Sequence, residues 1–321
     1  MQGRYGGTGL TFALLSAATF ALSGPLASAL IAVGWTPAAA VTVRVGLAAL
    51  VLTLPALLQL RGSWGALRRE AGSVTTYGVL AVGGAQLAYF NAVQHLSVGV
   101  ALMLEYLGII LVVGWMWLRH GQRPRRLTVA GAATALLGLV LVLDVTGSTH
   151  LDPIGVLWGL GAAVGLATYF LLSASTGSRV AAVPMAWGGL LIGTVLLTVA
   201  GVAGLVPWHA GTADVRLIGH QTSWLVPVAG LALVSAVVSY LAGIGAARRL
   251  GARLASFVGL TEVLFAVLFA WVMLGQLPGT VQLVGGAFII AGVAAVRLDE
   301  LRAPSRAADV PRRVAEPAPA C

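Results

Sequence analysis

Apolar runs of roughly 18 to 24 residues recur along the chain from Thr8 to Val296, each long enough to cross a hydrocarbon core of about 30 Å. A soluble domain cannot hide so much apolar surface: of 321 residues 59% are hydrophobic and only 9% are charged. Lipid offers backbone amides no partner, so spanning segments must be helices or a closed barrel. Continuous runs, rather than alternating ten-residue segments, select helices. The expected fold class is therefore an all-α integral membrane protein. Its ten transmembrane helices fall at about 8–32, 36–59, 73–95, 98–118, 127–145, 153–173, 183–205, 224–246, 254–274 and 280–297.

The net charge of +9 invites a nucleic-acid reading, which the placement of the charges rejects. All nineteen cations are arginines, and most of them fall on alternate gaps between spans. One set of gaps carries Arg61, Arg68 and Arg69; Arg119, Arg123, Arg125 and Arg126; Arg179; Arg248, Arg249 and Arg253; and the tail from Arg297 to Arg313. The opposite gaps carry only Arg216. This bias is a topology signal, and it predicts both termini on the cytoplasmic side of a bacterial inner membrane. Ala27-Ser28-Ala29 resembles a signal-peptide cleavage site, but only Arg4 precedes it and nine further spans follow, so the first run is read as a retained helix. The 206–223 loop is the longest external segment, with room for a short surface helix. The 298–321 tail reads as a disordered cytoplasmic extension, and its last residue, Cys321, is the only cysteine, which rules out a disulfide framework.

Two halves are discernible, 8–145 and 153–297. Pro37 and Pro184 open the second helix of each. Glu105 lies in the fourth helix and Glu262 in the ninth, each followed by an apolar stretch with Trp115 or Trp271. Gly131 and Gly138 in one half match Gly285 and Gly292 in the other at identical spacing. Five helices per half is an odd number, so the second copy enters the membrane from the opposite side. This is an inverted repeat of the kind that places a carrier's substrate site near the midplane.

The segments AVQHLSVGVALMLEYLGIILVVGW at 92–115 and ARRLGARLASFVGLTEVLFAVLFAWVMLGQLPG at 247–279 resemble the two copies of the EamA domain of the drug/metabolite transporter superfamily. The glutamate followed by an aromatic, Glu105-Tyr106, resembles the threonine/homoserine exporter group within it. The likeness spans roughly 8–297 and implies a ten-helix exporter with a central cavity, driven by a proton gradient or by exchange. The chain departs from the usual pattern at Tyr106 and Val263, where a proline often follows the membrane glutamate, and at Gln276, where a glutamate commonly ends the ninth helix.

Ionisable groups inside spans are costly, about 2.5 to 3.5 kcal/mol on insertion scales, and so are functional candidates by default. Glu105 and Glu262 each sit ~10 to 12 Å from their own face of the membrane and are candidates for proton coupling; the bland alternative is that each locks helices together. Arg44 lies at nearly the depth of Glu105, where it either pairs with that carboxylate or clamps a substrate carboxylate by two hydrogen bonds. Gln86, Tyr89, Asn91, Gln94 and His95 give the third helix a polar face suited to a cavity or to interhelical hydrogen bonds, with His95 at the outer rim. Tyr169 and Tyr240 are expected cavity walls, and most of the nine tryptophans interfacial belts.

The reading is a secondary transporter exporting amino acids or related small polar metabolites by alternating access, with the bilayer, a small-molecule substrate and protons as its partners. Its oligomeric state is left between monomer and homodimer. Efflux of lipophilic cations is the runner-up and a membrane scaffold the alternative of another class. An enzyme is not expected, nor a metal or cofactor: Asp144, at the end of its span, is the only aspartate inside one, and no two histidines share a helix face at ligand spacing.

Overall fold

A computed structural model describes residues 2–96, 98–143, 152–175, 180–275 and 277–302. Arg179, Gln276, Asp144 and the tail beyond Arg302, Cys321 included, lie outside the described residues. The elements are α1 (Gln2–Ala21), α2 (Ser23–Ile31), α3 (Pro37–Leu60), α4 (Trp64–Arg69), α5 (Ala71–Thr76), a π-helical segment (Tyr77–Gly84), α6 (Ala85–His95), α7 (Val98–Tyr106), α8 (Gly108–His120) and α9 (Arg126–Val142). Then follow α10 (Pro153–Ser173), α11 (Ala182–Val202), strands β1 (Val215–Leu217) and β2 (His220–Thr222), α12 (Leu225–Ala229), a second π segment (Gly230–Val238), α13 (Ser239–Gly259), α14 (Thr261–Leu274) and α15 (Thr280–Leu301).

Among the described residues, seven helical stretches are long and apolar enough to cross a bilayer: Gly7–Ile31, Pro37–Leu60, Val100–Arg119, Pro153–Ser173, Ala182–Val202, Leu225–Gly259 and Thr280–Asp299. Arg126–Val142 and Thr261–Met273 are apolar but shorter. The difference from ten expected spans has local causes. The third predicted span is divided among α5, a π segment and the polar α6; the ninth is cut at Leu260, which leaves α14 only fourteen residues. The first span bends at Leu22, because Pro25 has no N–H to give and its ring crowds the carbonyl four residues earlier. The predicted boundary between the eighth and ninth spans moves as well. The helix continues through Arg248 and Arg249, and the chain turns at Gly251, whose φ of 80° and ψ of 161° only glycine adopts easily.

Helices pair antiparallel through small residues. On α9 and α15, Gly131 lies against Gly292 and Gly138 against Gly285, so close that a Cβ on any of the four would meet backbone atoms of the other helix at 2.5 to 2.8 Å. The equivalence is reciprocal: residues 131 and 138 pair with the counterparts of 138 and 131. On α1 and α13, Ser16 Oγ donates to the Ser239 carbonyl (2.9 Å) and Ser239 Oγ to the Ser16 carbonyl (3.3 Å). On α3 and α11, Trp187 donates its indole N–H to Thr53 Oγ1 (3.0 Å), and Gly46 packs beside Thr194.

Loop contacts fall into two sets. Arg253 donates to Gln122 Oε1 (3.0 Å), Arg248 to the Val180 carbonyl (2.9 Å), and Arg125 approaches Asp299 at 4.0 Å. In the other set, Trp35 donates to the Gly211 carbonyl (2.8 Å), His209 N–H to Thr36 Oγ1 (3.0 Å), and His95 meets Asp152 (2.9 Å). The 206–223 loop holds a β-hairpin in place of the expected surface helix. Ile218 and Gly219 both have positive φ, which closes a two-residue turn, and buried Val215 seats the ribbon beside Trp35 and Leu30. Six tryptophans (Trp64, Trp115, Trp117, Trp158, Trp208 and Trp271) are exposed in keeping with interfacial placement, whereas Trp35 is buried against Trp224, ring centres 6.0 Å apart.

Candidate functional site

The centre of the bundle gathers one arginine, two glutamates and five of the six tyrosines of the chain. Arg44 sits in the middle of α3, whose register turns Val45, Ala48, Ala49 and Leu52 into the core. Its guanidinium lies 4.5 Å over the Phe20 ring, and its charge faces Tyr240 and Glu262. Sequence position alone allows Glu105 or a substrate carboxylate as its partner; the carboxylate that its charge faces in the structure is Glu262. No carboxylate comes within ion-pair distance of Arg44 among the described residues, and Nε and Nη2 are buried without a hydrogen-bond acceptor. Three of its five N–H groups are thereby free. A buried cation without a counter-ion is expensive, and the ring of Phe20 offsets only part of that cost.

The two glutamates flank equivalent helix breaks differently. Glu105 stands two residues before the break at Leu107, in the last turn of α7; Glu262 stands two residues after the break at Leu260, in the first turn of α14. The free N–H groups of a helix start favour an anion at Glu262. Tyr106 bridges the pair: its hydroxyl is the hydrogen-bonding neighbour of Glu262, while Glu105 lies within electrostatic reach of both. Both carboxylates lie deep in the bundle and are half-buried.

Tyr169 on α10 links the two ends of the aromatic wall. Its ring centre is 5.9 Å from Tyr240, edge to face, and 5.9 Å from Tyr77, with Phe170 at 5.0 Å. Its hydroxyl reaches Ser16 and rests on Gly243, where a side chain would overlap it. Tyr89 faces Glu105. Nothing draws the rest of the predicted polar face into this cluster. Gln86 is half-buried, Asn91 donates its amide to the Leu87 carbonyl of its own helix (2.8 Å), and Gln94 is exposed. His95 is at the exposed rim, as its position implies, bound to Asp152, which caps α10 through the Ile154 N–H (2.9 Å).

Tyr77, Phe20 and Ser16 escape the sequence reading, and Tyr106 enters it only as the aromatic that follows Glu105. The usable signal for the tyrosines is depth, since tyrosine prefers the membrane interface and a fully buried one inside a span needs a polar partner.

The sequence model of the EamA-like transporter family matches residues 7–144 and again 153–298. An uncharacterized transporter of Archaeoglobus fulgidus is 26% identical over 206 residues, which cover 64% of this chain and 69% of that protein. A solved crystal structure at 21% identity superposes with a TM-score of 0.72 over 91% of this chain and 98% of its own, which is a likeness of fold.

Proposed function

Since the chain belongs to the EamA-like transporter family, we propose that it is a secondary transporter of ten spans in two inverted five-helix halves, 8–145 and 153–297, which exports amino acids or related small zwitterions by alternating access. Each helix pairing described above joins the two halves: α9 with α15 and α3 with α11 pair equivalent helices, and α1 with α13 is matched by α10 with α6; the π segments Tyr77–Gly84 and Gly230–Val238 recur at matching places, and both features support the inverted arrangement. The arginine-rich turns joined by the Arg253–Gln122 and Arg248–Val180 bonds would then share the cytoplasmic side of an inner membrane, with both termini.

The observation that carries the substrate class is Arg44, buried and without an ion pair, with three N–H groups unspent and Glu262 as the carboxylate its charge faces. A substrate carboxylate would take the guanidinium fork and its ammonium the glutamates, so that each end of a zwitterion meets a group of opposite charge. Protonation of Glu262 would release the ammonium and couple export to the proton gradient. The second reading, efflux of lipophilic cations, draws on the tyrosine wall and the same two carboxylates.

A thermal-shift screen of purified protein against amino acids, amines and quaternary cations separates the two. Stabilisation by zwitterions is the expected result, and a shift confined to hydrophobic cations would overturn it. In proteoliposomes Glu262→Gln should abolish pH-dependent transport at unchanged expression; an unaltered pH response removes the coupling role.

A further inference from the structure

Away from the polar centre, an apolar crevice of about 280 Å³ opens between α8 and α9. Its floor is Ile109, Phe257 and Leu260, all buried, and its rim includes Ile110 and Val129, about half exposed. Along α9 the lining residues Thr128, Ala132 and Leu136 follow one helical stripe, roughly 12 Å long at the α-helical rise. Such a lining gives water no polar partner, and a crevice open to the bilayer suits hydrocarbon. One end is marked by Pro124, set within the turn that carries Arg119, Arg123, Arg125 and Arg126, all exposed. Arg125 approaches Asp299; Arg119, Arg123 and Arg126 have no carboxylate within ion-pair distance among the described residues.

We propose that this crevice and its arginine rim form a binding site for one anionic phospholipid, with an acyl chain laid along α9 and the phosphate headgroup held by Arg119, Arg123 and Arg126. The charge of the rim selects the headgroup, because clustered arginines at a span's end attract anionic lipid and have no preference for a zwitterionic one of equal chain length. The same chain would touch Phe257 and Leu260, the residues that lead into the break before Glu262.

Native mass spectrometry of the detergent-solubilised protein, titrated with dioleoyl phosphatidylglycerol or dioleoyl phosphatidylcholine, tests this. The wild type should retain the anionic lipid with roughly tenfold preference. Arg123→Gln with Arg126→Gln should bring the preference close to unity, and Ala133→Phe, which fills the crevice and leaves the rim intact, should weaken retention of both lipids. Free inorganic phosphate should not compete with the bound lipid, since the chain provides the site's anchorage. Equal retention of the two lipids by the wild type, or a preference unchanged in the double variant, overturns the proposal, and so does displacement by phosphate. Circular dichroism and elution volume verify that each variant is folded, and the single Arg126→Gln serves should the double variant fail to fold.

Discussion

At the scale of single residues, Arg44 is the group whose presence folding explains least. Removing an uncompensated buried charge in favour of an apolar side chain of similar length should stabilise the protein, whereas breaking a structural ion pair would do the reverse. Arg44→Met is therefore expected to raise the Tm by about 2–4 °C, the response to ~1 kcal/mol in a chain of this size, and to abolish zwitterion transport. Differential scanning fluorimetry with an uptake assay reads both. A lower Tm with transport retained would mean that Arg44 is a strut. Asp152 offers a titration outside the spans: the Ile154 N–H, and then His95, hold its carboxyl below the usual aspartate range. A depressed native pKa gives stability that is present above the unfolded pKa, about 3.9, and is lost as pH falls through the lower native value. Asp152→Asn should flatten this acid limb of the Tm–pH curve below about pH 5, as followed by thermal unfolding at a series of pH values.

At the scale of elements, the seam between α9 and α15 depends on the absence of side chains. Gly138→Leu should cost about 1–3 kcal/mol by overpacking, because its Cβ would meet the Gly285 carbonyl and the Ile289 N–H, which are backbone and cannot turn away. Gly114→Ala, with open space around it, should leave the Tm unchanged or higher. Thermal unfolding of the two variants side by side checks the contrast. The paired glycines are legible in the sequence because identical spacing in two places is a strong signal. The π segments are not: YGVLAVGG and GLALVSAVV are apolar all round, so no periodicity betrays a change of winding. The break at Gly251 hides for a related reason, since a glycine among arginines reads as a loop and not as a turn between two packed helices. The hairpin is missed because Ile218 takes positive φ, which a β-branched residue rarely does. Arg44 and both glutamates are accessible from burial cost alone; that Arg44 faces Glu262 requires the packing of α3 against the π segment Gly230–Val238, which no local pattern encodes.

At the scale of the whole molecule, orientation is the property from which the carrier mechanism follows. If the halves are inverted copies, then every arginine-rich turn lies on one side and the hairpin on the other, and the polar centre is reached from each side in turn by equivalent movements of the two halves. Loop contacts support this arrangement, because each bond joins segments that the charge pattern assigns to the same side: Gln122 to Arg253, Val180 to Arg248, Thr36 to His209. The sequence contains one cysteine, Cys321, so a Cys321→Ser background permits single-cysteine labelling. Arg123→Cys and Arg249→Cys should react with a membrane-impermeant maleimide only in inside-out vesicles, and Arg216→Cys only in right-side-out vesicles or spheroplasts. Reaction of Arg123→Cys and Arg249→Cys from opposite faces would place an odd number of crossings where the inverted arrangement requires an even one. The two glutamates would then no longer be presented by inverted copies of one element, and alternation about a shared centre would lose its structural basis.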